Sequence, residues 1–380
     1  MDLLADLDVV LEKFVTQKVA PAADQVDATG EFPKENIRAF LEAGLGGLLA
    51  SKTNGGAGGT IRDASKVVER IGRVCGSTAM IVTMHYSAAQ VIEALGDNLG
   101  DATTKNAVAQ GKLLTTLAFS EASSRSHFWV PTSTAERQGD AIVLNACKGW
   151  VTSANNADVY VWSSRPLAGE GLSTIWVVDR NTPGIQPARS FEGMGLRGND
   201  SCPVTATNAR IAPDRMLGED GKGADAVLGV ILPIFSILSS SASVGLMGGA
   251  IERTIAHMGA TRFEHLDNAI KQLPTARAFL ARMQIKKDMV HALLADAIGG
   301  IENPSATTML RVLEIKAAAG ETATEVLDLA MRVCGGAAFR KEGGIERFFR
   351  DARASTVMAP TTDQLYDFIG RALCGMDLFA

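Results

Sequence analysis

Between Leu113 and Gly218 the chain changes texture, and that change restricts its fold more than any other feature. Segments such as LLTTLAFSE, AIVLNACKGWVTSA, VYVWSS, STIWVVDR and PVTATNARI are short, rich in Val, Ile and Thr, and bounded by Gly, Pro, Asn and Asp. These are strand and turn signals at the spacing of an antiparallel barrel or sandwich. On both sides the apolar spacing is helical. Leu4, Leu7, Val10, Leu11 and Phe14 share one face of an opening helix. Pro33 and Glu35 begin another, from Ile37 to Leu45, closed by Gly46 and Gly47. Two apolar helical stretches follow, Ala64–Val74 and Thr78–Leu95. Between them and the helix before, the glycine-rich run from Asn54 to Thr60 follows no strand and reads as a connection. After Gly218 four helical stretches are expected: Met258–Phe279, Gln284–Ala297, Ala306–Gly320 and Ala323–Val333. Helices segregated from strands predict an α+β fold. It comprises an N-terminal helical domain (1–112), a central antiparallel β-domain (113–218) and a C-terminal helical bundle (219–380).

Composition removes several function classes. A formal charge of -5, with no Lys/Arg run, leaves no footprint for nucleic acid. The five cysteines are scattered and form no CxxC pair, which argues for a reduced, cytoplasmic protein without structural metal. The N-terminus has no basic region followed by an apolar run, so no signal peptide is expected. From Ala226 to Ile251 there is no charged residue, a length that would span a bilayer. Pro233, five serines and the lack of a flanking positive cluster favour a buried central helix instead.

The β-segment and the tail carry a specific likeness. Leu117–Ser126 (LAFSEASSRS) resembles the first acyl-CoA dehydrogenase signature, A-x-(T/S)-E-P-x-A-G-S-D. Lys148–Thr152 (KGWVT) is similar to its K-x-W-(I/V)-T element, and Gly193–Ser201 (GMGLRGNDS) to G-x-R-(G/S)-(S/T)-D. Met216–Gly223 resembles the exit from the β-domain, and Cys334-Gly-Gly with Glu346–Arg353 (ERFFRDAR) the C-terminal signature. The likeness runs in order along nearly the whole chain, so it implies that family's fold and its cofactor, FAD. An isoalloxazine is flat, partly apolar and hydrogen-bonding along one edge, which suits an indole, short hydroxyls and backbone N–H groups. By resemblance Phe119, Ser120, Trp150 and Thr152 would contact the flavin ring, and Ser126 would lie near its phosphates and the acyl-pantetheine tunnel. Family members are homo-oligomers, dimers or tetramers, in which the FAD adenosine and pyrophosphate reach a neighbouring subunit. Arg262, Arg332, Gly335, Gly336 and Thr361 would serve there. Arginine suits a pyrophosphate by bidentate bonding, and paired glycines allow close backbone approach.

The chain also departs from the family. The usual base, the Glu of a Y-E-G-T element, aligns with Ala359 within Met358-Ala-Pro-Thr361, and alanine takes no proton. Some members place the base on a helix carrying R-x-x-F-G-x-x-I, here Arg262–Ile270. Aligned on Arg262 the base position is Phe263; aligned on Ile270 it is Glu264, the candidate catalytic residue. Arg125 and His127 stand where Gly and Asp are usual, and His85 lies on an N-terminal helix as a candidate pocket residue.

Three chemistries are consistent with these residues. The first is acyl-CoA dehydrogenation with a displaced base, with electrons passing to an electron-transfer flavoprotein. The second is a flavin-dependent monooxygenase or N-hydroxylase fed by a flavin reductase, which needs no base. The third is a base-lacking subunit of a hetero-oligomeric dehydrogenase. The first is favoured because the flavin-binding positions are better kept than any oxygenase signature.

Overall fold

The computed structural model describes residues 3–266 and 268–378. Helices α1 (Leu7–Phe14) and α2 (Ala20–Thr29) continue into one another through a π-helical turn, Val15–Val19. Then come α3 (Lys34–Glu42), α4 (Ile61–Gly72), α5 (Gly76–Leu95) and α6 (Ala102–Ala109). The strands are β1 (Thr115–Ala118), β2 (Thr134–Gln138), β3 (Ala141–Val151), β4 (Val159–Ser164), β5 (Thr174–Asp179), β6 (Ile185–Pro187), β7 (Cys202–Ile211) and β8 (Met216–Leu217). Helices α7 (Gly223–Ala226) and α8 (Leu232–Ala260) lead to a two-stranded pair, β9 (Arg262–Phe263) and β10 (Asn268–Ala269). The chain ends in α9 (Pro274–Glu302), α10 (Thr308–Cys334), α11 (Ile345–Ala352), α12 (Ala354–Val357) and α13 (Thr362–Leu373). By packing, the chain forms two compact units. One contains Met1–Ala64, Met80–Glu192 and Arg197–Phe235, and the other Ser65–Ala79, Gly193–Leu196 and Ser236–Ala380.

In the first unit two four-stranded sheets, ordered β1-β4-β5-β8 and β2-β3-β7-β6, enclose one apolar core. Trp162, Trp176, Tyr160, Leu144 and Val204 are fully buried in it, placed there by the alternation of inward and outward side chains along each strand. The expected antiparallel pairing holds except between β1 and β4, which run parallel. The chain leaves β1, builds β2 and β3 in the other sheet, and returns, so no hairpin forces those two strands to oppose. Helix α3 ends earlier than Gly46-Gly47 suggests. Gly44, at φ 76, provides the left-handed stop, and Gly47 serves packing, since a Cβ there would lie 2.1 Å from the Ala109 carbonyl oxygen.

The second unit is helical. Its α4 and α8 segments approach so closely that a Cβ at Gly245 or Gly249 would fall 2.3 or 2.2 Å from a backbone oxygen, of Glu69 or Arg73 respectively. The stretch Gly223–Ala260 is long and apolar enough to cross a membrane, but 72% of its most apolar window is buried inside the protein. Its serines are mostly satisfied within the helix, Ser236 alone among them having a buried hydroxyl with no partner among the described residues. The hydroxyls of Ser240, Ser241 and Ser243 donate to carbonyls one turn back, and Ser241 also pairs with Ser65 at 2.8 Å.

Two helical expectations are corrected. Met258–Phe279 is not one helix: α8 stops at Ala260, β9 and β10 pair, and Pro274 opens α9. Proline fits the first helical turn because it has no N–H to satisfy, and it holds Leu273 extended at ψ 123°. Glu264 accordingly sits in a short 3-10 turn, Glu264–Leu266, rather than on a helix. Conversely, the stretches Ala306–Gly320 and Ala323–Val333 are one helix, α10, running through Gly320 unbroken.

Candidate functional site

Strand β3 carries the first group of expected site residues and positions them by an irregularity. Its pairing with β7 shifts register between Lys148 and Val151, a bulge that turns side chains away from strict alternation. Trp150 emerges there 68% exposed, an unusual position for so large an apolar ring. Beside it the Gly149 N–H donates to the Ser120 carbonyl at 2.7 Å, joining the Phe119-Ser120 segment to the Trp150 edge. Phe119 is buried, Ser120 half-buried, and Thr152 buried with its hydroxyl 3.0 Å from that of Ser201. The structure thus brings Phe119, Ser120, Trp150 and Thr152 to one edge of the β-domain. Ser126 lies on the loop that follows Ser120.

That loop is fastened by a residue pair to which the sequence reading assigns no role. Glu121 accepts from the backbone N–H of Thr132 (2.6 Å) and of Ser133 (3.2 Å), pinning both ends of the excursion. The Lys148 ammonium reaches Glu121 at 2.7 Å and also donates to Ser133, the Ser163 carbonyl and the Ser163 hydroxyl. It lies 5.2 Å from the Trp162 ring centre. Burial pushes the Glu121 carboxyl up, but the Lys148 charge and the hydrogen bonds from Lys148, Thr132 and Ser133 outweigh it and hold the group at about 2. Burial draws Lys148 down to about 8 against the opposing pull of Glu121. Both groups stay charged at neutral pH. The signal in the sequence was available: a Lys and a Glu inside otherwise apolar strand segments.

Within the loop Arg125 is exposed and adopts φ 48, the left-handed region where glycine is at ease, and His127 packs edge-on to Trp129 at 5.2 Å. The Ser124 hydroxyl is buried with no hydrogen-bond partner among the described residues. Asp200 of the GMGLRGNDS motif ties the segment after Thr152, accepting from the Asn155 N–H (2.7 Å) and the Asn156 amide (2.8 Å). His85 is buried with both ring nitrogens engaged. Its Nε2 meets the Gly46 carbonyl at 2.9 Å, an acceptor only, so Nε2 carries the proton and Nδ1 accepts from the Thr115 N–H. Burial lowers its pKa to about 4 and keeps the ring neutral.

The remaining expected residues lie in the second unit. Arg332, near the end of α10, is exposed with its guanidinium 4.7 Å from the Phe279 ring centre. Gly335 (φ 57) and Gly336 follow, exposed, with open space where a Cβ would stand. Arg262 is exposed on β9, Glu264 is exposed on its turn, and Thr361 caps α13 by accepting from the Gln364 N–H at 3.4 Å. Two motifs far apart in the chain meet here. Asp351 accepts from the Leu196 N–H at 2.6 Å, and Arg350 donates to the Met194 carbonyl at 2.9 Å. The turn around Ala359 is held from beneath by Lys316, buried on α10, whose ammonium donates to the Pro360 carbonyl at 2.6 Å and the Met358 carbonyl at 3.0 Å. Burial pulls Lys316 down to about 7. Sequence reading passed over it, although a lysine in step with Val312, Ala319 and Ala323 stands at a core position of the helix.

Residues 6–109 match the profile of the acyl-CoA dehydrogenase N-terminal domain, 116–209 the middle domain and 221–374 the C-terminal domain. The chain belongs to the acyl-CoA dehydrogenase family. It is similar to cyclohex-1-ene-1-carbonyl-CoA dehydrogenase of Geobacter metallireducens, with 27% identity over 97% of this chain and 96% of that one. Glutaryl-CoA dehydrogenase of Desulfococcus multivorans is also 27% identical, over 90% of this chain and 89% of its own. The butyryl-CoA dehydrogenase structure from Megasphaera elsdenii superposes with a TM-score of 0.91 at 20% identity, covering 98% of each chain. The fold is therefore the acyl-CoA dehydrogenase fold, with helical, β-sheet and helical domains in chain order.

Members of this family use FAD. The residues present fit that group. A water-facing indole stands beside a glycine backbone and short hydroxyls at the β-domain edge, and the adjoining loop keeps a buried serine hydroxyl without a partner. Two exposed glycines with room around them follow an exposed arginine at the end of α10.

Proposed function

We propose that this chain is an FAD-dependent acyl-CoA dehydrogenase acting on the α,β bond of an acyl-CoA thioester. The observation that carries the reading is Trp150, a large ring kept exposed by a bulge and flanked by Ser120 and Thr152. Bound FAD supplies the two-electron acceptor. Trp150, Phe119, Ser120 and Thr152 would hold its ring system, the indole by its face and the hydroxyls as hydrogen-bonding groups. Ser126 lies toward the phosphates. Arg262, Arg332, Gly335, Gly336 and Thr361 would receive the adenosine and pyrophosphate of a neighbouring subunit's cofactor in a homo-oligomer, a dimer or tetramer. It works in the cytoplasm and passes electrons to an electron-transfer flavoprotein. Ala359 takes no part in proton transfer, and Glu264, a carboxylate on the turn after β9, is assigned the substrate α-proton.

The test is the visible spectrum of the purified, FAD-loaded protein under argon, before and after a panel of acyl-CoAs. Flavin bleaching with at least one thioester is expected, together with its loss in Glu264→Gln. Bleaching at the wild-type rate in Glu264→Gln would remove Glu264 from the mechanism while leaving the dehydrogenase reading intact. If no acyl-CoA reduces the flavin, the dehydrogenase reading itself falls.

A further inference from the structure

Lysine is among the residues least often buried, and an ammonium taken out of water costs several kcal/mol unless charge-assisted bonds replace its hydration. Lys316 is buried all the same, and it donates to two backbone carbonyls. The acceptors are the two carbonyls that flank Ala359, those of Met358 and Pro360. The Met358 N–H closes α12 onto the Ala354 carbonyl, Pro360 has no N–H, and the Thr361 side chain caps α13. One turn further along α10, Gly320 lies against the same place: a Cβ there would be 3.3 Å from the Thr362 hydroxyl and 3.4 Å from the Ser355 carbonyl oxygen. One face of α10 therefore supplies both the donor that grips the turn and the gap that lets it approach.

We propose that Lys316 is the positioning residue of the Met358–Thr361 turn, holding Ala359 as a fixed, uncharged wall of the acyl site. The turn's place at that site rests on the function proposed above; the grip of Lys316 on the turn does not. Lys316 touches neither substrate nor cofactor in this assignment and acts through the two carbonyls.

The experiment compares the FAD-loaded full-length protein with Lys316→Met, which keeps most of the side-chain length but donates nothing, and Lys316→Gln, which retains two N–H donors. Amide hydrogen exchange across residues 354–364 is read beside KM, kcat and FAD content. In Lys316→Met, exchange at Ala359, Thr361 and Thr362 should rise about tenfold, the worth of one lost net hydrogen bond. KM for the acyl-CoA should rise about tenfold, with kcat within about twofold, as for lost ground-state binding. Lys316→Gln, shorter and uncharged, should recover only part of both effects. Unchanged local exchange in Lys316→Met would overturn the proposal, and so would exchange raised uniformly through α10 and α13, which marks a merely structural lysine. Should Lys316→Met fail to fold, Lys316→Gln decides: exchange raised only at 358–362 supports the proposal, and wild-type exchange there overturns it. A local exchange effect in a protein that no acyl-CoA reduces would leave the positioning role standing and the dehydrogenase reading refuted.

Discussion

Replacing Lys148 with Met removes the cation of the buried pair while keeping most of its side-chain length. The Lys148 and Glu121 side chains are 0% and 3% exposed, so solvent screens little of their attraction. In the folded protein Glu121 titrates at about 2 instead of 4.5. That difference corresponds to about 3 kcal/mol in favour of the ionised carboxylate. The depressed value of Lys148 points the other way, because burying an ammonium opposes its charge. With four acceptors around Lys148 and two backbone donors on Glu121, the geometry favours the pair once both groups are inside. In Lys148→Met the carboxylate keeps Thr132 and Ser133 but loses its counter-charge, and breaking a buried pair from one side costs about 3–5 kcal/mol. The pH dependence follows from the sign of the shift. Glu121 has a folded value below its unfolded one, so its contribution is complete above pH 4.5 and fades as pH falls toward about 2. Urea unfolding followed by tryptophan fluorescence suits the measurement, since Trp162 lies 5.2 Å from the ammonium. Lys148→Met should lose about 3–5 kcal/mol at neutral pH and most of the wild-type acid limb in that window. The double variant Glu121→Gln/Lys148→Met should recover part of the loss, because no buried charge is left alone. A loss under about 1 kcal/mol, or an unaltered acid limb, would refute the reasoning.

Other consequences are equally direct. His85 is neutral in the folded protein, with a value near 4 against 6.5 when unfolded, so wild-type stability should fall by up to about 3 kcal/mol as pH drops from 6.5 toward 4. His85→Gln should flatten that slope in pH-dependent denaturation. Gly249→Ala drives a methyl against the Arg73 carbonyl oxygen and the Phe348 ring, and thermal or urea denaturation should show a loss of about 1–3 kcal/mol. Trp150→Ala should lower FAD occupancy of the purified protein while shifting stability of the apoprotein by less than about 0.5 kcal/mol, because the ring is mostly exposed; an unaltered flavin content would remove Trp150 from the site.

Local sequence was enough for the order of helices, strands and helices. Period-two and period-3.6 patterns are properties of neighbouring residues, and a strand or helix declares its buried face within a few positions. It was also enough for the family motifs, whose residues cluster within short segments such as KGWVT. Where local cues were present but passed over, as with Pro274 and Gly44, element ends were misread, and Glu264 was expected on a helix that does not form. Long-range partnership was a different matter. Glu121 meets Lys148, His85 meets Gly46 and Thr115, Leu196 meets Asp351, and Lys316 meets the carbonyls around Ala359 across stretches of chain that carry no local record of the contact. Burial decides these pairings, because a charge or ring removed from water must find whatever donor or acceptor the fold brings beside it. The sequence alone marked Ala359 as the residue without a carboxylate. Only the tertiary structure supplied the buried lysine that holds the turn where Ala359 stands.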